Sequence, residues 1–222
     1  MRSLVNMFLV KHKPFTVLLL LSTFCVTLTA VSYIRSGNIT YFYLDRNLFL
    51  AWVPLLFALA WQHRLNFGKL AKWKATAMFC LWLLFFPTAP YLFTDLVHLN
   101  TRFNPAIWAD TLLLFSCALA GLALGIYSLH IVHQILLQYF KPGKAWFIIS
   151  MSLMLTGYGI YLGRIQRWNS WDLFTQPFTL LTDTIYQLDN PQAIKMTIGF
   201  SALLFIIYFM FKTIINHERI KG

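Results

Sequence analysis

Six apolar runs of near membrane-spanning length, separated by short polar stretches, limit what this chain can fold into more than any other feature. They fall at Phe15 to Ile34, Asn47 to Trp61, Trp73 to Phe86, Thr111 to Leu137, Trp146 to Gly163 and Ile194 to Ile215. A helix rising about 1.5 Å per residue needs ~20 apolar residues to cross ~30 Å of hydrocarbon, where each backbone polar group must be satisfied within the segment. The fold class expected is therefore all-α: a polytopic helical membrane protein with about six transmembrane helices. The helices are placed at about 15–34, 47–62, 73–93, 111–137, 146–164 and 194–215, in one helical-bundle domain over 1–222. The second and third runs are short and reach spanning length by borrowing the interfacial aromatics Tyr41 to Tyr43 and Tyr91 to Phe93. Pro54, inside the second run, is expected to kink it.

Composition agrees with a lipid-solvated chain. Of 222 residues 59% are hydrophobic, 18% aromatic and only 11% charged, too little polar surface for a soluble domain. The formal charge of +11 sits between the apolar runs and not in a patch, so nucleic acid is not an expected partner; the lipid bilayer is. The first run follows Lys11 and Lys13 and ends in small residues, as a signal peptide does, but its ~20 residues are about twice the length of a signal's apolar region, and it is read as a helix. Cys25, Cys80 and Cys117 lie singly in three different runs and are read as buried apolar residues.

Orientation follows from the basic residues, because cytoplasmic loops retain positive charge. Alternate sides of the six runs carry twelve Lys and Arg (Arg2, Lys11, Lys13, Arg64, Lys69, Lys72, Lys74, Lys141, Lys144, Lys212, Arg219, Lys221) against six (Arg35, Arg46, Arg102, Arg164, Arg167, Lys195). The richer side is assigned to the cytoplasm, with both termini inside. Six of the seven acids then fall outside, only Glu218 inside, and the outer face becomes the place to look for chemistry.

Two outer segments carry it. In the first, Pro87 and Pro90 break the third helix, and Thr88 is placed to cap a new turn. A helix there sets Tyr91, Asp95 and His98 at i, i+4 and i+7 on one face, with Asp95 and His98 as a candidate catalytic acid/base pair. A plain interfacial capping turn is the competing reading. In the second, the end of the fifth helix brings Tyr161, Arg164 and Trp168 onto one face, with Arg167, Asn169, Trp171 and Asp172 beyond. Arg164 and Arg167 suit a bidentate clamp for phosphate or carboxylate, and the aromatics suit substrate contact, Asp172 being a further catalytic candidate. An aromatic belt with snorkelling arginines is the alternative. Convergence of the two segments, joined by Asp110 and Arg102, would place an anion clamp beside an acid/base pair.

Gly121 and Gly125 in the fourth helix and Gly159 and Gly163 in the fifth have small-residue spacing, but counting down from the helix ends places them at different depths, so each pair is expected to pack on a different neighbour. His130 and His133 are expected at the inner interface. No metal site is expected, no phosphate-binding glycine loop or nucleophile elbow occurs, and the cofactor, if there is one, is unknown.

The segments Pro87-Thr88-Ala89-Pro90-Tyr91 with Thr94-Asp95 and His98-Leu99, and Gly159-Ile160-Tyr161-Leu162-Gly163-Arg164 with Arg167-Trp168-Asn169-Ser170-Trp171-Asp172, resemble the signatures of bacterial polytopic membrane proteins grouped as domain of unknown function 1361. The resemblance runs from about the second helix to the last, with Thr88 where the family pattern is expected to carry Asn. It implies a multi-pass protein of the bacterial plasma membrane and supplies no activity. From the residues, the expected function is a membrane-embedded hydrolase or transferase that binds or modifies an anionic lipid or lipid-linked headgroup at the outer leaflet. A non-catalytic partner for envelope proteins is the alternative. A transporter ranks below both, since Lys, Arg, Asp and Glu are absent from the middle of every run.

Overall fold

The computed structural model describes the backbone of residues 2–37, 39, 41–68, 70–98 and 107–221, and the side chains of 14–35, 37, 39, 41–68, 70–97 and 108–217. The chain runs α1 (Arg2–Ser36), α2 (Phe42–Leu65), α3 (Lys72–Phe85), α4 (Thr88–Thr94), a 3-10 turn (Asp95–His98), α5 (Ile107–Tyr139), α6 (Pro142–Arg164), α7 (Asp172–Thr175), α8 (Pro177–Tyr186), a second 3-10 turn (Gln187–Asp189) and α9 (Pro191–Lys221). Six stretches are long and apolar enough to cross a membrane: Pro14–Arg35, Phe42–Leu65, Lys72–Val97, Trp108–Tyr139, Pro142–Arg164 and Pro191–His217. Each corresponds to one apolar run of the sequence. The protein is a polytopic helical membrane protein, and its exposed Leu20, Ile34, Ile198 and Ile206 are surfaces for lipid, not for water.

The longest spanning stretch, α5, is the hub, packing on α1, α2, α4 and α6, while α9 rests on α6. Small residues and tryptophans fill the centre: Ala51, Ala58, Trp82 and Ala89 are fully or nearly fully buried, and Trp82 Nε1 donates to Ser128 Oγ at 2.7 Å. Pro54 is carried inside α2 without ending it. Cys25 and Cys117 are buried, with their thiols in hydrogen-bond contact between α1 and α5, whereas Cys80 is exposed. His133 is 1% exposed, its Nδ1 2.7 Å from the Tyr208 hydroxyl and its ring edge-on to Trp146. His133 is thus packed inside the bundle near the C-terminal end of α5, with Trp146 of α6 and Tyr208 of α9 against it.

The break between α3 and α4 decides where the polar groups go. Pro87 and Pro90 supply no N–H, so carbonyls at the end of α3 lose their usual donors. The Thr88 hydroxyl shares its one proton between the Phe85 carbonyl (2.7 Å) and the Leu50 carbonyl of α2 (3.0 Å), and the Ser170 hydroxyl donates to the Leu84 carbonyl (2.9 Å). Thr88 therefore does not cap α4 as the sequence suggested; Pro87 occupies that position with no side-chain cap. Two prolines leave more acceptors to fill than donors.

Both glycine pairs press on the same short helix. A Cβ on Gly121 would lie 2.5 Å from the Ala89 carbonyl oxygen, and one on Gly159 would lie 2.8 Å from Pro87 Cγ. Gly163 faces Tyr91 in the same way. The expectation of separate neighbours fails because the helix ends are not level, so residue counts from each end misjudge depth.

Candidate functional site

Asp95 ends α4, and the chain there leaves the α-helix for a 3-10 turn. Its side chain is only 1% exposed, and a carboxylate so buried needs charged and hydrogen-bonding partners. Arg164 Nη1, from the last residue of α6, donates to Asp95 Oδ1 at 2.8 Å, and Asn47 Nδ2 of α2 donates to Oδ2 at 3.3 Å. The Arg164 guanidinium also lies 5.8 Å from the centre of the Tyr91 ring. One carboxylate thus ties together α2, α4 and α6.

Beside this knot is a cavity of about 420 Å³. Its lining is Tyr43, Arg46, Asn47 and Leu50 from α2, Pro87, Thr88, Tyr91 and Asp95 from the broken helix, Gly159, Gly163 and Arg164 from α6, and Trp168, Asn169, Ser170 and Trp171 from the loop that follows. Among these residues two guanidiniums face one carboxylate, so the lining carries one formal positive charge in excess. Amide and hydroxyl groups and four large aromatic rings complete a surface suited to an anion attached to a bulkier polar group.

The loop is shaped by local bonds. Arg167 takes φ 61°, a left-handed conformation costly to a residue with a Cβ, and the chain doubles back so that the Trp168 N–H reaches the Leu162 carbonyl at 3.1 Å. Asp172 then closes the next turn, accepting from the Asn169 N–H (2.7 Å) and Asn169 Nδ2 (3.2 Å). Trp168 Nε1 donates to Asp183 Oδ2 at 3.2 Å.

A family model described as Protein of unknown function (DUF1361) matches residues 46–207. The chain belongs to this family. The match opens on Arg46 and takes in every residue of the cavity lining except Tyr43. Comparison with curated proteins and with solved structures finds no match to this DUF1361 chain.

In this DUF1361 protein six of the residues singled out in the sequence meet at the cavity: Tyr91, Asp95, Arg164, Trp168, Asn169 and Trp171. Three do not. Tyr161 is fully buried and turned away, its hydroxyl donating to Gln187 Oε1 at 2.7 Å and accepting from Asn190 Nδ2 and Gln166 Nε2. The shared face with Trp168 does not exist, because α6 ends at Arg164. Arg167 is exposed and outside the lining, sent away by its left-handed turn, so the clamp of Arg164 with Arg167 is not formed. Asp172 is used within its own turn and is also outside the lining.

The α-helical face drawn through Tyr91, Asp95 and His98 is interrupted at Asp95 by the 3-10 turn. The side chain of His98 lies outside the described residues, as does Arg102. Asp110 does not reach the cavity lining; the Tyr41 hydroxyl donates to it, and burial together with that carboxylate pushes the Tyr41 phenol up. Among the described residues no three His, Cys, Asp or Glu side chains gather to hold a metal.

Sequence reasoning missed the contribution of α2. Arg46, not Arg167, is the second arginine of the cavity, and Asn47 is a direct partner of Asp95. The signal was present as the polar triplet Asp45-Arg46-Asn47 at the mouth of an otherwise apolar run.

Proposed function

We propose that this DUF1361 protein binds, through its cavity, the anionic headgroup of a lipid or lipid-linked molecule at the outer face of a bacterial plasma membrane. The observation that carries the reading is the pair of arginines from two helices in one lining, Arg164 held in place by buried Asp95 and Arg46 carrying the charge in excess. A guanidinium has five N–H donors, more than one carboxylate takes up, and fixing it beforehand reduces the ordering cost of binding. Trp168, Trp171 and Tyr91 supply rings of the kind that sit at the headgroup level. The outward orientation is supported by the twelve-to-six division of Lys and Arg between the two sides. Binding is favoured over hydrolysis or transfer because Asp95, the acid nearest the cavity, is engaged with Arg164 and Asn47.

The test is lipid binding by the full chain in nanodiscs, read by native mass spectrometry, with phosphatidylglycerol against phosphatidylcholine and with inorganic phosphate as the free anion. Retention of phosphatidylglycerol, weakened about tenfold in Arg46→Gln by loss of a charged hydrogen bond, is the expected result. Equal retention of both lipids would overturn the reading, and so would a stoichiometric protein partner protecting Arg46 and Trp171. Competition by inorganic phosphate alone would move the ligand from lipid to a free anion.

A further inference from the structure

We propose that α8 is an interfacial helix, lying in the leaflet at the cavity end of the bundle with the lipid surface as its partner. Its depth is fixed by hydrogen bonds. The Tyr158 hydroxyl of α6 donates to the Thr184 carbonyl at 2.5 Å, and Tyr158 lies six residues before the end of α6 at Arg164. Six residues correspond to roughly 9 Å along a helix, and a helical side chain leans towards the N-terminal end, here the deeper one. Thr184 is thus held within the length of the span and not above it. The next 3-10 turn is held at a similar level, where Gln187 accepts from Tyr161.

The sequence of α8 divides into three faces. At 100° per residue, Phe178, Leu181 and Ile185 fall in one sector of roughly 60°, and Thr179, Thr182 and Tyr186 in another. Both sets are exposed, the apolar three at 84%, 59% and 60%. The remaining sector, Leu180, Asp183 and Thr184, is half-buried against the bundle, where Asp183 receives Trp168. A helix with one face each for protein, hydrocarbon and water belongs at a boundary where all three meet. The apolar sector is as exposed as the lipid-facing residues of the neighbouring spans, Met154 and Leu155 on α6 and Ile194 and Ile198 on α9. Between Arg167 and Lys195 the chain has no Lys or Arg but carries Asp172, Asp183 and Asp189, so attraction to acidic headgroups plays no part. The insertion is apolar in origin, and it holds the Trp168 side of the cavity at the headgroup level.

The experiment places single nitroxides on the full chain in phosphatidylcholine liposomes, through Phe178→Cys, Leu181→Cys and Ile185→Cys against Thr179→Cys and Thr182→Cys, with the three native cysteines replaced by alanine. Collisions with oxygen should dominate at the first three positions and collisions with a water-soluble nickel chelate at the other two, unchanged when phosphatidylglycerol is added. Chelate reaching the apolar sector would overturn the proposal, and so would exclusion of both reagents, which marks a protein cover. Hydroxyl-radical footprinting of the unsubstituted chain in the same liposomes gives an independent reading: Tyr186 is expected to be labelled and Phe178 spared, and the reverse pattern would sink it.

Discussion

Asp95 holds its carboxylate where almost no water reaches, and Arg164 and Asn47, which point at it, make its charge tolerable there. Removing either member of the ion pair takes the opposite charge away from the other. Asp95→Ala should lower stability by about 3 kcal/mol, since an unmatched buried charge is among the costlier defects in a folded chain. Arg164→Gln, which leaves the more buried carboxylate without its cation, should cost at least as much. The double variant Asp95→Ala with Arg164→Gln should lose less than the two single changes together, measured as unfolding in mixed micelles; additive losses would mean that the pair is not coupled. A second polar contact can be judged separately. Tyr208→Phe leaves His133 Nδ1 without the hydroxyl 2.7 Å away and should cost about 1 to 2 kcal/mol in the same assay. At this scale the sequence was half readable. Two polar segments ending helices on one side allowed Asp95 to meet Arg164 but did not require it, and the contact itself is visible only in the structure. The exchange of Arg167 for Arg46 was not readable, because it depends on a left-handed turn that no local preference of arginine announces.

Elements meet here through missing side chains. Because α4 is gripped by glycines of α5 and α6, Gly121→Ala and Gly159→Ala force a methyl into contact distances of 2.5 and 2.8 Å and should each destabilise by about 1–3 kcal/mol. Gly143→Ala and Gly199→Ala meet nothing within 4 Å and should be neutral or stabilising by up to ~1 kcal/mol. A thermal series on the four purified variants checks the contrast, and equal effects would refute the packing. The proline break was legible in the sequence, as was the small-residue spacing. The shared neighbour was not, for helix ends at unequal heights leave no trace in composition. α7 and α8 fall outside the six runs marked in the sequence because the first is a single turn and the second, with polar residues on two faces, lacks the unbroken apolar run that marks a span.

For the whole molecule, six spans would put both termini on one side of the bilayer, and the distribution of Lys and Arg leads us to propose that this side is the cytoplasm. A reporter fused after Gly222 that fluoresces only in the cytoplasm should light up, and a cysteine at Asn169 should react with an impermeant thiol reagent from outside; the opposite pair of results would invert the topology. The six spans were readable because in hydrocarbon a helix satisfies its backbone alone, so local composition decides it. How the helices assemble was not, since it rests on contacts between distant residues. The bond from Ser170 to the Leu84 carbonyl is one such contact, and it sets an order of events. The Leu84 carbonyl of the third span takes its side-chain donor from a residue synthesised 86 positions later. Until the ribosome has passed Ser170, the break in that span is incomplete, so nascent chains stopped after α6 but before the loop are expected to be cleared faster than chains stopped just beyond it.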